Sequence, residues 1–267
     1  MKDCAEQIIM NIAFDEYGNG FPVVLLHAFP LSKNMWNESI KPLTELGFRL
    51  ILPDLRGFGE SDNFADINSM ETMARDVGGL LDSLKIEKAI IGGLSMGGYI
   101  TFNIYRLFPH KCAGLILCDT NSASDTVEKK EQRYELIDKI ESLGAQALIE
   151  NMLPNTISDF TKNTNHELIV KLKTMFAEAD PKAAIAALRG MAERFDHTKL
   201  LEKINVPTAL IFGEEDKITN TQIALTMRGQ IENSQLFTIK NAGHYSNLEQ
   251  PEQFNSILCN FLKDVEI

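Results

Sequence analysis

The chain has 267 residues, 44% hydrophobic and 24% charged, enough apolar material for one large domain or two small ones and a composition unlike that of disordered chains. Its formal net charge of −11 argues against a nucleic-acid partner, whose phosphates require a basic footprint. Residues 1–12 lack a basic-then-apolar leader pattern, no apolar run reaches membrane length, and the four cysteines show neither disulfide nor metal spacing; a cytoplasmic, non-membrane protein without a bound metal is expected.

In chain order, the first strand-like run is 7–14, expected at an antiparallel edge and joined to the next strand through 16–20. The run 22–27 leads into His27-Ala28-Phe29-Pro30, with the lone tryptophan, Trp36, shortly after. A third run, 49–53, opens onto Asp54-Leu55-Arg56-Gly57-Phe58-Gly59-Glu60-Ser61. That loop reads as scaffolding, with glycines for turns and Arg56 as an internal donor. Residues 70–84 carry apolar side chains at three- and four-residue spacing, the period of an amphipathic helix. The run 88–92 then meets Gly93-Leu94-Ser95-Met96-Gly97, and a helix-like stretch follows at once. The strand 113–118 ends at Asp119.

From about Asn121 to about Pro207 only helical signals occur, at 126–142, 145–151, 166–178 and 181–193, with Pro154 and Pro181 as punctuation. The charged stretch 128–133 reads as a solvated helix face. Strands return at 208–213, running into Gly213-Glu214-Glu215-Asp216, and at 235–240, followed by Asn241-Ala242-Gly243-His244. Short apolar strands alternating with helices imply a mostly parallel sheet covered on both faces, so the fold class is α/β.

Strand, glycine, serine, glycine, helix is the order that a nucleophile elbow requires. The glycines let the backbone reverse so that Ser95 stands clear of the sheet, and Met96 offers an N–H at a helix N-terminus, where negative charge is favoured. A serine hydroxyl needs a base. Of five histidines, His244 is the best placed, in a post-strand loop after a glycine, whereas His27 reads as structural. The base needs a carboxylate to orient it. Asp216 leads, and Asp119 competes.

These motifs together resemble α/β-hydrolase-fold serine hydrolases of the small esterase, lactonase and haloperoxidase-like group. The resemblance runs from about residue 20 to 262, apart from the helical insert. It implies an eight-stranded sheet, with residues 1–120 and 207–267 as the core and 121–206 as a helical cap over Ser95. It implies the Phe29 N–H as a second oxyanion donor beside that of Met96, in a turn where the group usually has glycine and this chain has Ala28. Trp36, Met152 and Met175 are candidate substrate contacts, with core or cap packing as the competing role. No cofactor is implied. The implied substrate is a small ester, thioester or lactone, with an enol-lactone as one alternative. A slow small-molecule receptor or an acyltransferase on the same fold is the alternative of another class, and monomer and homodimer both stay open.

Overall fold

The computed structural model describes residues 12–61 and 65–265. Seven strands form one sheet: β1 (Phe14–Tyr17), β2 (Pro22–Leu26), β3 (Arg49–Pro53), β4 (Ala89–Leu94), β5 (Cys112–Cys118), β6 (Thr208–Gly213) and β7 (Ser234–Ile239). Their order is β1-β3-β2-β4-β5-β6-β7, and only β1 is antiparallel, pairing Phe14 with Pro53 and Tyr17 with Leu50. The expected count of eight is therefore corrected to seven among the described residues. Residues 7–11 of the run 7–14 lie outside the described residues, and the edge strand begins at Phe14, where that run ends. Its turn is correspondingly shorter, because Glu16 and Tyr17 join the ladder.

The other strands fall within two residues of their expected bounds. Every residue of β4, β5 and β6 is buried, which is the continuous apolar reading of strands covered on both faces. Helices α1 (Asn37–Glu45), α2 (Met70–Ser83) and α3 (Met96–Leu107) connect the first half of the sheet. Ser69 caps α2 by accepting the Thr72 N–H at 3.0 Å. Helices α11 (Thr221–Gln230), α12 (Ser246–Glu249) and α13 (Pro251–Asp264) complete the second half.

Between β5 and β6 the chain is helical throughout: α4 (Val127–Leu143), α5 (Gln146–Asn151), α6 (Leu153–Thr156), α7 (Asp159–Thr164), α8 (His166–Ala177), α9 (Pro181–Ala192) and α10 (Thr198–Leu201). Thr126 caps α4 and Asp180 caps α9, whose Pro181 fills a first-turn position that needs no N–H. Pro154 starts the short α6 for the same reason, rather than interrupting a longer helix. Helix α4 packs on α9, and α5 on α8. Phe176 of α8 is fully buried and sits edge-on to Tyr245 at 6.2 Å, which ties this layer to the loop after β7. Burying such a ring contributes about 2–3 kcal/mol.

Six strands run parallel, so the loops after β2, β4, β5, β6 and β7 all emerge at one edge of the sheet. In open α/β sheets that carboxyl edge is where ligands bind. The polar residues singled out from the sequence (His27, Ser95, Asp119, Asp216 and His244) all leave the sheet there. No helix among the described residues is long and apolar enough to cross a membrane.

Candidate active site

Ser95 joins β4 to α3 with φ 54° and ψ −110°, a backbone conformation that L-residues avoid. Such a residue costs about 1–3 kcal/mol and persists only where its surroundings hold it. Here its N–H donates to the Cys118 carbonyl at 2.9 Å, and its own carbonyl accepts the Thr120 hydroxyl at 2.9 Å. The flanking glycines are obligatory. A Cβ on Gly93 would lie 2.3 Å from the Gly97 backbone, and one on Gly97 would lie 2.3 Å from the Leu26 carbonyl oxygen.

The hydroxyl of Ser95 lies 2.8 Å from His244 Nε2, and His244 Nδ1 lies 2.8 Å from Asp216 Oδ2. A carboxylate only accepts, so Nδ1 carries the ring proton and Nε2 is left free to accept from Ser95. Asp216 is 5% exposed, and its second oxygen takes the backbone N–H groups of Ile218 at 2.7 Å and Thr219 at 3.0 Å. The Thr219 hydroxyl donates to Oδ2 as well. Burial opposes ionisation of Asp216, but the His244 imidazole and these donors outweigh it and hold the carboxyl below its usual range. The His244 N–H donates to the Thr156 carbonyl at 2.7 Å, so the helical layer fixes the backbone of the histidine loop.

Phe29 and Met96 flank the elbow from two directions, one in the turn after β2 and the other at the first position of α3. Among the described residues neither N–H has a hydrogen-bond acceptor, and both residues are buried. Ala28 does not adopt a positive φ, so its methyl group sits in the turn without backbone strain. The buried Tyr245 hydroxyl donates to the Phe29 carbonyl at 3.1 Å, linking the histidine loop to this turn. Sequence reasoning missed Tyr245 and Thr219. Tyr245 adjoins His244, but no local pattern signals a contact spanning 216 positions, whereas Thr219 stands three residues after Asp216, a spacing at which the aspartate side chain bonds the local backbone and hydroxyl.

Asp119, the competing acid, lies elsewhere in the network. Its oxygens accept the Gly213 N–H at 2.7 Å and the Ser246 hydroxyl. Burial, and then the charge of Asp216, push its carboxyl pKa well up. Glu249, also raised by burial, accepts from the Ser158 N–H at 2.8 Å, the Thr161 hydroxyl at 2.7 Å and the Gly243 N–H at 2.9 Å. It thereby clamps α7 to the loop of His244. His27 accepts the Leu55 N–H on Nε2 at 2.9 Å and directs Nδ1 to the Ala28 carbonyl at 3.0 Å. Only the neutral ring can do both, and burial lowers its pKa accordingly. In the 54–61 loop, Arg56 makes a two-pronged pair with Asp76 at 2.6 Å on each side, an internal anchor.

The candidate substrate contacts separate. Trp36 is fully buried against Phe254 of α13 at 6.0 Å, in keeping with the core-packing role that competed with substrate contact. Met152 and Met175 are both half-buried and line different cavities, Met152 beside Leu188 and Ile218, Met175 beside Phe58 and Ala179. The 128–133 stretch is likewise not simply a solvated face. Arg133 is largely buried on Asp125, and Lys129 lines the cavity that Met152 shares.

A sequence model described as the alpha/beta hydrolase fold matches residues 22–251. The AB hydrolase superfamily protein YisY of Bacillus subtilis is 31% identical over 265 residues, 94% of this chain and 95% of that one. A 2-hydroxy-6-oxononadienedioate/2-hydroxy-6-oxononatrienedioate hydrolase of Pseudomonas putida is 30% identical over 267 residues, 95% of this chain and 92% of that one. Among solved structures, a thermophilic esterase from Thermogutta terrifontis superposes with a TM-score of 0.93 at 38% identity, covering 96% of this chain and 94% of that one.

Proposed function

The chain belongs to the alpha/beta hydrolase fold family, and on that premise we propose that it is a serine hydrolase of carboxylic esters, working through an acyl-enzyme on Ser95. The observation that carries this reading is the unbroken line of contacts from Ser95 Oγ to His244 Nε2 and from His244 Nδ1 to Asp216, each 2.8 Å long. The esterase from Thermogutta terrifontis supports the ester as substrate class.

In the first half-reaction Ser95 Oγ bonds to the ester carbonyl carbon while its proton passes to His244 Nε2. The carbonyl electron pair moves onto oxygen, and the Phe29 and Met96 N–H groups receive it. One such donor lowers the barrier by about 3–4 kcal/mol. The tetrahedral adduct then expels the alkoxide, which takes the proton from His244. Water repeats the sequence on the acyl-enzyme: its proton goes to His244, its oxygen bonds to the acyl carbon, and Ser95 leaves with the proton returned. Asp216 stays ionised throughout and stabilises the imidazolium formed in each half. Helices α4–α9, within residues 121–206, act as the cap, excluding water from the acyl group, and residues 1–120 and 207–267 form the core.

A second reading, hydrolysis of a carbon–carbon bond in an oxo-dienedioate, is favoured by the 30% identity to the Pseudomonas putida hydrolase. Both use the same serine, so Ser95→Ala tests them together. Turnover of p-nitrophenyl acetate is expected to fall to the uncatalysed background while circular dichroism shows a folded protein. Residual activity near wild type refutes the assignment.

A further inference from the structure

The net charge of the chain is −11, yet one cleft beside the helical layer concentrates cations. Two adjoining cavities of about 380 and about 470 Å³ share Lys129, Gln132, Asn155 and Ile218 as lining. Their combined walls hold the cationic side chains of Lys129, Arg133, Lys139, Arg194 and Lys217 but only two carboxylates, Asp125 and Glu135. Most of the cations already have partners. Arg133 and Arg194 both close on Asp125. Lys217 pairs with Asp159 at 3.3 Å, and Lys139 donates to Asn151 Oδ1 at 2.7 Å.

Lys129 has no carboxylate partner among the described residues. Its ammonium reaches only Gln132 Oε1, at 3.5 Å. Burial, and then the neighbouring Arg133, push its pKa down, and the nearby Asp125 carboxylate, already engaged by Arg133 and Arg194, only partly offsets them. A single carboxylate between two guanidiniums leaves a residual positive charge beside it, and low-dielectric walls strengthen the field that an entering anion meets.

The cavity adjoins the catalytic network. Ile218 and Thr219, whose N–H groups hold Asp216, are in its wall, as is Thr156, whose carbonyl receives the His244 N–H. Tyr99, one turn beyond Ser95 in α3, lies under the Arg194 guanidinium at 4.2 Å. Met152, Leu188 and Ile218 supply apolar lining. A space with a cationic part, an apolar part and wall residues that hydrogen-bond the Asp216 carboxylate and the His244 backbone suits a short aliphatic chain that ends in an anion.

We propose that this cavity receives a carboxylate at the far end of the substrate, with Lys129 as its direct partner, so that half-esters of short dicarboxylic acids are preferred over neutral esters. This rests on the ester-hydrolase reading above. Methyl hexanoate and monomethyl adipate form a matched pair, differing only in a terminal methyl against a carboxylate, and methanol release measures both. Wild type is expected to favour monomethyl adipate about tenfold in kcat/KM, mainly through KM, with the preference shrinking in 1 M salt. In Lys129→Gln the ratio between the two esters is expected to fall about tenfold, the scale of one charge-assisted hydrogen bond.

No preference in wild type, or an equal loss for both esters in Lys129→Gln, overturns the proposal. If neither ester shows turnover that depends on Ser95, it is the hydrolase reading that fails. Calorimetric titration with adipate then decides the cavity alone. Binding at low salt that weakens about tenfold in Lys129→Gln supports an anion site, and binding that is absent or indifferent to the substitution overturns it.

Discussion

Replacing Asp216 by asparagine is the sharpest test of the proposed relay, because the two oxygens of the carboxylate have different tasks. Oδ1 accepts the Ile218 and Thr219 N–H groups at 2.7 and 3.0 Å, and an amide oxygen can keep both. Oδ2 accepts from His244 Nδ1 at 2.8 Å, and the asparagine NH2 that replaces it can only donate. The imidazole answers by moving its proton to Nε2, which then points a donor at Ser95 and cannot take the serine proton. The wrong tautomer of a triad histidine lowers kcat by about four orders of magnitude, or about 5 kcal/mol. Steady-state hydrolysis of p-nitrophenyl acetate at pH 7 measures the loss, and thermal unfolding checks that the loop has kept its amide contacts. An Asp216→Asn enzyme that retains more than about a tenth of wild-type kcat refutes the argument, since the tautomer could not then matter.

Tyr245→Phe removes the hydroxyl that holds the Phe29 carbonyl. A drop of about three- to tenfold is expected in kcat with KM little changed, because an oxyanion donor is used only in the transition state; a KM effect alone would count against this role. Asp119→Asn is expected to stay within a few-fold of wild-type kcat and to gain stability over wild type as pH rises. In wild type, burial and the Asp216 charge keep the Asp119 proton on above the ordinary value of 3.8, so the folded state holds a proton that the unfolded state has released, and rising pH favours unfolding. Parallel stability curves for the two proteins from pH 4 to 8 would contradict this. His197, lowered from 6.5 to about 4 by burial and by Arg106, has the opposite sign: between those values the unfolded chain carries the extra proton, and stability falls with falling pH. Denaturant melts of wild type and His197→Gln across that window should converge as pH drops, and a constant gap would argue against a buried neutral ring.

Much of the site was legible because its signals are local. The Ser95 turn needs glycine at 93 because a Cβ there would meet Gly97 within the same five residues, whereas the need at 97 is tertiary, set by the Leu26 carbonyl of the neighbouring strand; the strand, glycine, serine, glycine, helix order is nonetheless readable in the chain itself. Helix bounds were legible to within two residues where caps and proline sit in the chain, as at Thr126, Asp180 and Pro181. The short helices α6 and α7 were not, because their formation depends on tertiary partners such as the Glu249 carboxylate that receives the Ser158 N–H. Lys129 and Arg133 looked solvated because helical spacing does not reveal that Asp125 and Arg194 lie across from them.

The amino-acid order by itself determined the strands, the helical insert, the elbow and a short list of residues able to act, since hydrophobic period, capping and turn chemistry are properties of neighbouring residues. Only the tertiary structure decided which of those residues meet. The parallel strand order brings Ser95, Asp216 and His244 to one edge, directs Asp119 to Ser246 instead, and sinks Trp36 into the core. Contacts between distant segments are selected by the packing of the whole sheet and its helices, and no stretch of sequence carries that information alone.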